Sequence, residues 1–459
     1  MLRSKSKPIV YVFGRGRGLL AKKTMGLSKL GTKRQCLACG AKYYDLRRKP
    51  SVCSRCGASA EPKRVSGQVE ERPAAQDAAV VTQPHPAGAP PSRPIGREWS
   101  TEQAGAIDQV GQWLKRGEPQ VFRVFGYAGV GKTTLARHIA EGARGETAFA
   151  AFTGKAALVM RSKGCAGATT IHALIYRASE GVEGAPNFTL NADGPASKAG
   201  LIVIDECSMV DAELARDLLS FGKPILVLGD PFQLPPVKGG GFFTEGAPDV
   251  MLTHIHRQAQ DNPIIRLSEI VRSGGDLREG VYGETRVIPR AAVDPAQVLG
   301  ADQVLVGTNR TRRAYNQRMR DLKGFQEPLP VAGDRLVCLR NDRAKGLING
   351  GLWRVETLGG VKKDFVKMTL RSEDEGARAT VKVAVLKAFF EGTEGELSFP
   401  LRRESDEFDY GYALTVHKAQ GSQWDDVMLF DESFAFREHR ARWLYTGLTR
   451  AARKLTVVR

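Results

Sequence analysis

A chain of 459 residues has room for about three domains of ordinary size, and a hydrophobic share of 42% supports sizeable cores. Its apolar runs fall well short of the ~18 residues of a membrane span. The basic N-terminus is too broken in its apolar pieces for a signal peptide. Seven cysteines, an odd number in a long chain, argue against a disulfide framework and point to a reducing cytoplasm.

The formal net charge of +18 is unevenly placed. Residues 1–70 carry 17 Lys or Arg against 3 Asp or Glu, a net of +14, which leaves +4 for the other 389. A basic segment of this kind attracts polyanions, the plain alternative being a solvated tail.

In chain order, residues 1–60 form a basic module with one short strand-like run, "PIVYVF", and two Cys pairs. Residues 61–98 include "PAAQDAAVVTQPHPAGAPPSRPIG", Pro/Ala-rich and without periodicity, which predicts an extended linker. From Trp99 amphipathic helical stretches alternate with the short apolar runs "VFRVFG", "TAFAAFTG", "LIVIDE", "PILVLGD", "DQVLVGTN", "DVMLFD" and "KLTVV". Runs bounded by Gly and Asp predict buried parallel strands, and the alternation predicts an α/β fold. Between 359 and 406 the pattern turns alternating and charged, which predicts a small antiparallel β insertion.

"GYAGVGKT", Gly126 to Thr133, fits the phosphate-binding loop G-x-x-x-x-G-K-[ST] between a strand and a helix. Gly126, Gly129 and Gly131 let backbone N–H groups wrap phosphates, and the helix N-terminus adds positive dipole. Lys132 is expected to neutralise the β- and γ-phosphates of ATP and Thr133, beside Thr134, to hold Mg²⁺. "LIVIDECSMV" puts Asp205 and Glu206 at a strand end. Asp205 suits Mg²⁺ through water, and Glu206 suits activation of the attacking water.

"VIDECSMV" followed by "LVLGDPFQLPPV" resembles the superfamily 1 helicases, and the ordered set of motifs from Trp99 to Val458 is most similar to the RecD-like and Dda-like branch, superfamily 1B. The resemblance implies two RecA-like parallel-sheet motor domains, 99–250 and 251–459. It also implies a strand-separating pin insertion at 176–199 and an SH3-like insertion at 359–406. In "WSTEQAGAI" it implies an adenine contact by Gln103. It makes Asp230 and Gln233 the couplers of γ-phosphate to the strand, and Arg257 and Arg450 the arginine fingers. "AFTGKAALVMRSKG", "TTIHALIY" and "YALTVHKAQGSQWDDVML" imply single-strand contacts by Thr153, Lys155, Thr170, His172, Thr415, His417 and Lys418. Movement 5′→3′ on single-stranded DNA by a monomeric motor follows from the same resemblance.

Cys36-x-x-Cys39, thirteen residues, then Cys53-x-x-Cys56 is a four-thiolate Zn²⁺ pattern. "GTKRQCLACGAKYYDLRRKPSVCSRCG" resembles the zinc-ribbon start of a small bacterial family named for its FYDLN stretch, here "YYDLR" and without that family's acidic tail. Forked DNA and a replication or repair protein bound through the zinc module are the expected partners. The residues leave open a single-strand translocase that strips proteins, an RNA-directed motor, and a zinc adaptor with a degenerate ATPase.

Overall fold

The computed structural model describes residues 99–180, 186–236, 240–254, 262–374 and 379–459, together with the backbone of 33–35 and 42–44. The chain divides into two units, residues 1–83 and 84–459. In the first, Lys33–Gln35 (β1) and Lys42–Tyr44 (β2) pair antiparallel with Gln35 opposite Lys42, so a ladder flanks the segment bearing Cys36 and Cys39. The four cysteines of the zinc pattern, the 61–98 linker and Arg257 lie outside the described residues.

In the second unit helix α1, Thr101–Arg116, starts on a reciprocal cap. Ser100 Oγ accepts from Gln103 N at 3.2 Å, and Gln103 Oε1 accepts from Ser100 N at 3.1 Å. Strand β3 (Val121–Gly126) leads through the phosphate loop into α2 (Lys132–Glu141). Next come β4 (Thr147–Ala151), α3 (Gly154–Ser162), β5 (Thr169–Thr170) and α4 (Ile171–Ile175). A hairpin of β6 (Tyr176–Glu180) and β7 (Pro186–Leu190) follows, then α5 (Pro195–Lys198), β8 (Leu201–Asp205), α6 (Ala212–Leu219), β9 (Ile225–Gly229) and β10 (Val250–Leu252).

The first sheet runs β10-β3-β9-β8-β4-β5, parallel at every pairing. "LIVID" and "ILVLG" are buried at every position because helices cover both faces. Trp113, Leu135 and Ile139 pack on one face, and Leu174, Leu214 and Leu218 on the other.

The second sheet is β11-β12-β21-β20-β13-β19, from Gly280–Tyr282 (β11), Thr285–Ile288 (β12), Gln303–Val306 (β13), Ala413–Thr415 (β19), Trp424–Phe430 (β20) and Ala451–Val458 (β21). Its pairings are parallel except β11 with β12. A third, antiparallel sheet is ordered β17-β16-β15-β14-β18. It comprises Arg335–Cys338 (β14), Leu352–Lys362 (β15), Phe365–Ser372 (β16), Thr380–Leu386 (β17) and Phe408–Tyr410 (β18), and so extends beyond the 359–406 segment on both sides.

Arg320, on the helix Asn309–Leu322, ties this sheet to the second one. Its Nε and Nη2 each donate to Asp334 at 3.0 Å, Tyr412 Oη donates to the same carboxylate at 2.9 Å, and both charged residues are fully buried. Among the described residues no helix is long and apolar enough to cross a membrane.

Candidate nucleotide cleft and strand-binding face

The phosphate loop closes with Gly129 at φ 83° and Gly131 at φ 79°, left-handed values that a side chain resists and glycine accepts. That backbone turns the loop so that Lys132, Thr133 and Thr134 open α2. Lys132 Nζ donates to the carbonyls of Gly126 at 2.6 Å and Tyr127 at 2.9 Å, which folds the ammonium back over the loop. Thr133 Oγ1 donates to Asp205 Oδ2 at 2.8 Å, joining the two groups expected at Mg²⁺. Asp205 Oδ1 accepts from Glu206 N at 2.8 Å.

Glu206 itself is left-handed, φ 53° and ψ 48°, a conformation that costs a non-glycine residue roughly 1–2 kcal/mol. Burial pushes its carboxyl pKa up, the Arg450 guanidinium opposes that rise, and Asp205 adds to it. A carboxyl raised in this way suits the proton-accepting role expected of Glu206.

The wall facing these residues comes from the second motor half. Arg450 is 5% exposed, and its guanidinium is held by Thr446 O at 3.1 Å, Ser422 O at 3.2 Å and Thr449 Oγ1 at 3.2 Å. These partners are neutral, so they orient the cation without cancelling it. On the helix Arg440–Leu448, Tyr445 Oη donates to Asp230 Oδ2 at 2.6 Å and accepts from Ala128 N at 3.1 Å. Leu234 N donates to Thr446 Oγ1 at 3.1 Å, and Gln420 Nε2 donates to Leu234 O at 3.0 Å. Gln233, next to Leu234 in sequence, is buried, and its Oε1 has no partner within the protein. A buried amide oxygen left in this way fits a site that receives a ligand or its water.

Gln103 is almost wholly buried, with its Nε2 donating to Val130 O at 2.9 Å and its Oε1 held in the cap of α1. Here it braces the phosphate loop. Tyr445, Thr446 and Gln420 were not picked out from sequence, although they lie in or beside the motifs quoted. Arg272 was also missed: its Cζ lies 3.8 Å over the ring of Tyr127, and nothing in its local sequence signals this.

The residues expected to contact a strand fall into three groups, with Lys155 apart. Thr153 and Thr170 are helix N-caps, accepting from Ala156 N and Ala173 N at 3.1 Å each. His172 is exposed and belongs to an aromatic row, Phe152–His172–Tyr176–Phe188, with successive ring centroids 6.1, 5.8 and 6.2 Å apart. The row ends on the hairpin at Phe188, 57% exposed. Thr415 ends β19 and His417 and Lys418 follow it, and burial lowers the pKa of both His417 and Lys418.

Lys155 is different, because its ammonium is paired with Asp374 of the antiparallel sheet. Beside it, a Cβ on Gly154 would come within 2.2 Å of Ile348 Cγ2. Gly421 presses on the same helix start, where a Cβ would lie 2.8 Å from Thr153 Oγ1.

Comparison with known proteins agrees with this arrangement. Residues 98–287 match the family described as an AAA domain, residues 410–458 the UvrD-like helicase C-terminal domain, and residues 25–92 a protein family of unknown function named FYDLN_acid. The chain is 30% identical over 387 residues to the ATP-dependent RecD2 DNA helicase of Deinococcus radiodurans, covering 77% of this chain and 48% of that protein. It therefore spans about half the length of that relative. It is 28% identical over 442 residues to the RecBCD enzyme subunit RecD of Mycobacterium tuberculosis, covering 85% of this chain and 74% of that one. A solved structure of Pif1 helicases at forked double-stranded DNA shares the fold, with TM-score 0.51, 20% identity, 79% of this chain and 92% of that chain. In its ordered motifs and in these relatives the chain is similar to the superfamily 1B helicases, with a segment near its start that matches the FYDLN_acid family.

Proposed function

We propose that the chain is an ATP-driven motor that moves 5′→3′ along single-stranded DNA and opens duplex ahead of it. The observation that carries this reading is a nucleotide cleft built from both halves. Lys132, Thr133, Asp205 and Glu206 line one side, and Arg450 and Tyr445 enter from the other. Lys132, Thr133 and Asp205 would hold ATP with Mg²⁺, which would supply the phosphoryl bond whose hydrolysis drives the cycle. Glu206 takes the proton of the attacking water, and Arg450 meets the charge that develops on the far side. Because the second wall moves with the second half, turnover alternately tightens and releases the strand that both halves hold.

The aromatic row favours a stacked single strand led toward the hairpin. Phe188 at its exposed end favours duplex opening over translocation alone. The basic N-terminal segment is assigned a Zn²⁺ knuckle held by Cys36, Cys39, Cys53 and Cys56. This rests on their spacing and on the β1–β2 ladder around the first pair.

ATP turnover and fork opening test the reading together. DNA oligonucleotides should raise turnover strongly, RNA much less, and a fork with a 5′ single-stranded tail should open. Better opening of the 3′-tailed fork would overturn the direction, and stimulation by RNA alone would overturn the DNA assignment.

A further inference from the structure

Tyr445 makes two hydrogen bonds that cross from the second motor half to the first, and they end on different parts of the nucleotide cleft. Its hydroxyl accepts from Ala128 N, inside the phosphate loop, at 3.1 Å. The same hydroxyl donates to Asp230 Oδ2 at 2.6 Å. Asp230 is 1% exposed and organises the loop that follows it: Oδ1 accepts from Phe232 N at 3.0 Å, and its carbonyl accepts from Gln233 N at 3.2 Å. The Tyr445 ring is 1% exposed and meets Phe232 edge-to-face at 5.2 Å. Burial first, and then Asp230, keep the phenol protonated, so it remains a donor to the carboxylate.

A phosphate loop works by turning amide N–H groups toward phosphate oxygens. An amide buried there without an acceptor costs free energy, so the nucleotide-free loop needs a substitute. The Tyr445 hydroxyl is a neutral acceptor, weaker than a charged phosphate oxygen. It is also tied to Asp230, so losing its hold on Ala128 changes what Asp230 and the following loop experience. Asp230 and Gln233 thus share one linkage with the phosphate loop, and that linkage passes through a residue of the opposite half.

We propose that Tyr445 is a positioning residue that reports occupancy of the phosphate loop to the 230–234 loop, its hydroxyl standing in for a phosphate oxygen of a nucleoside triphosphate at the Ala128 amide. The proposal rests on the reading of the cleft as the ATP site of a strand-bound motor.

The test uses the full chain with Tyr445→Phe, which removes the hydroxyl and keeps the ring. Affinity for labelled oligo-dT is measured by anisotropy without nucleotide, with ADP and with a non-hydrolysable ATP analogue. Binding of a fluorescent ATP analogue is measured in parallel. The wild-type chain should change its strand affinity between nucleotide states. In Tyr445→Phe that change should shrink to about twofold or less, while nucleotide affinity holds or tightens, because no internal acceptor has to be displaced. A merely structural role would weaken both bindings alike and leave the ratio between nucleotide states unchanged; that result overturns the proposal. Asp230→Asn, which leaves every ring in place, should shrink the same ratio and serves if Tyr445→Phe does not fold. A wild-type chain whose strand affinity ignores nucleotide would overturn the motor reading itself. A responsive wild type with an equally responsive Tyr445→Phe would overturn only the role of Tyr445.

Discussion

Asp374 holds the ammonium of Lys155 at the first turn of α3, and the carboxylate also accepts from Leu352 N at 3.0 Å. The pair joins the antiparallel sheet to the first motor half. It places an internal carboxylate where a helix N-terminus and a lysine would otherwise receive a phosphate. Asp374→Asn should therefore free Lys155 and tighten oligo-dT binding several-fold at low salt. The slope of log affinity against log salt should steepen by about 1, the change expected for one further phosphate contact. Lys155→Ala should instead strand a buried carboxylate and lower stability by roughly 3 kcal/mol, read from urea unfolding.

Arg450→Ala should reduce ATP turnover by roughly 10³-fold or more, as loss of an arginine finger does. Nucleotide affinity should fall far less, since an arginine finger acts mainly on charge that develops in the transition state and the partners of Arg450 are neutral. Stopped-flow turnover and equilibrium binding of a fluorescent nucleotide separate the two effects.

The pH profile should carry the mark of Glu206. Burial raises its pKa above the usual 4.5, and a protonated carboxyl cannot accept a proton from water. Turnover should therefore fall as pH drops through that raised value, at higher pH than an ordinary glutamate would give. Arg450 favours the charged form, so the residual activity of Arg450→Ala should show an acidic limb moved further up. Glu206→Gln should remove turnover across the whole range while strand binding persists.

Arg320 and Asp334 form a buried pair that also engages Tyr412 and the carbonyls of Glu327 and Leu329. Removing one charge leaves the other without compensation. Arg320→Ala or Asp334→Ala should each lower stability by roughly 3–5 kcal/mol. The double variant should cost less than the sum, which a double-mutant cycle in guanidinium measures.

At the other end of the chain, deletion of residues 1–95 should abolish zinc binding, as should Cys39→Ser combined with Cys56→Ser. The shortened protein should keep strand-stimulated turnover, bind DNA more weakly and show a shallower salt dependence, because the basic segment carries +14. Unchanged affinity and salt slope would assign the module to a protein partner instead.

The motor sheets were legible because buried parallel strands leave apolar runs bounded by glycine and aspartate. "LIVIDE" and "PILVLGD" became β8 and β9. Edge strands such as Thr169–Thr170 and Val250–Leu252 are too short to leave such a signal. The antiparallel sheet was read too narrowly because "RLVC" is four residues long and one of its partners, β18, lies far downstream, after the rest of the sheet. Lys132, Asp205 and Glu206 stood out because phosphate chemistry confines them to short motifs. The partners of Lys155 and Tyr445 did not, since Asp374 is 219 residues from Lys155 and Asp230 is 215 from Tyr445. Pairing over that span is decided by packing and not by local pattern.

The antiparallel sheet enters and leaves the second motor half through one narrow place. β14 and β18 lie side by side, Leu336 facing Tyr410, and the backbone of Leu336 and Val337 comes so close to Gly411 that a Cβ there would lie 2.8 Å from Leu336 C. Two residues later β19 joins the motor sheet. A segment whose two ends meet at a single point is, in evolutionary terms, a graft. It can be lengthened, replaced or pruned without altering the order of the strands that surround it, provided the joint of Arg320 and Asp334 at its base is kept. Divergence among such motors should therefore concentrate beyond that joint, while the motor sheet changes slowly beneath it.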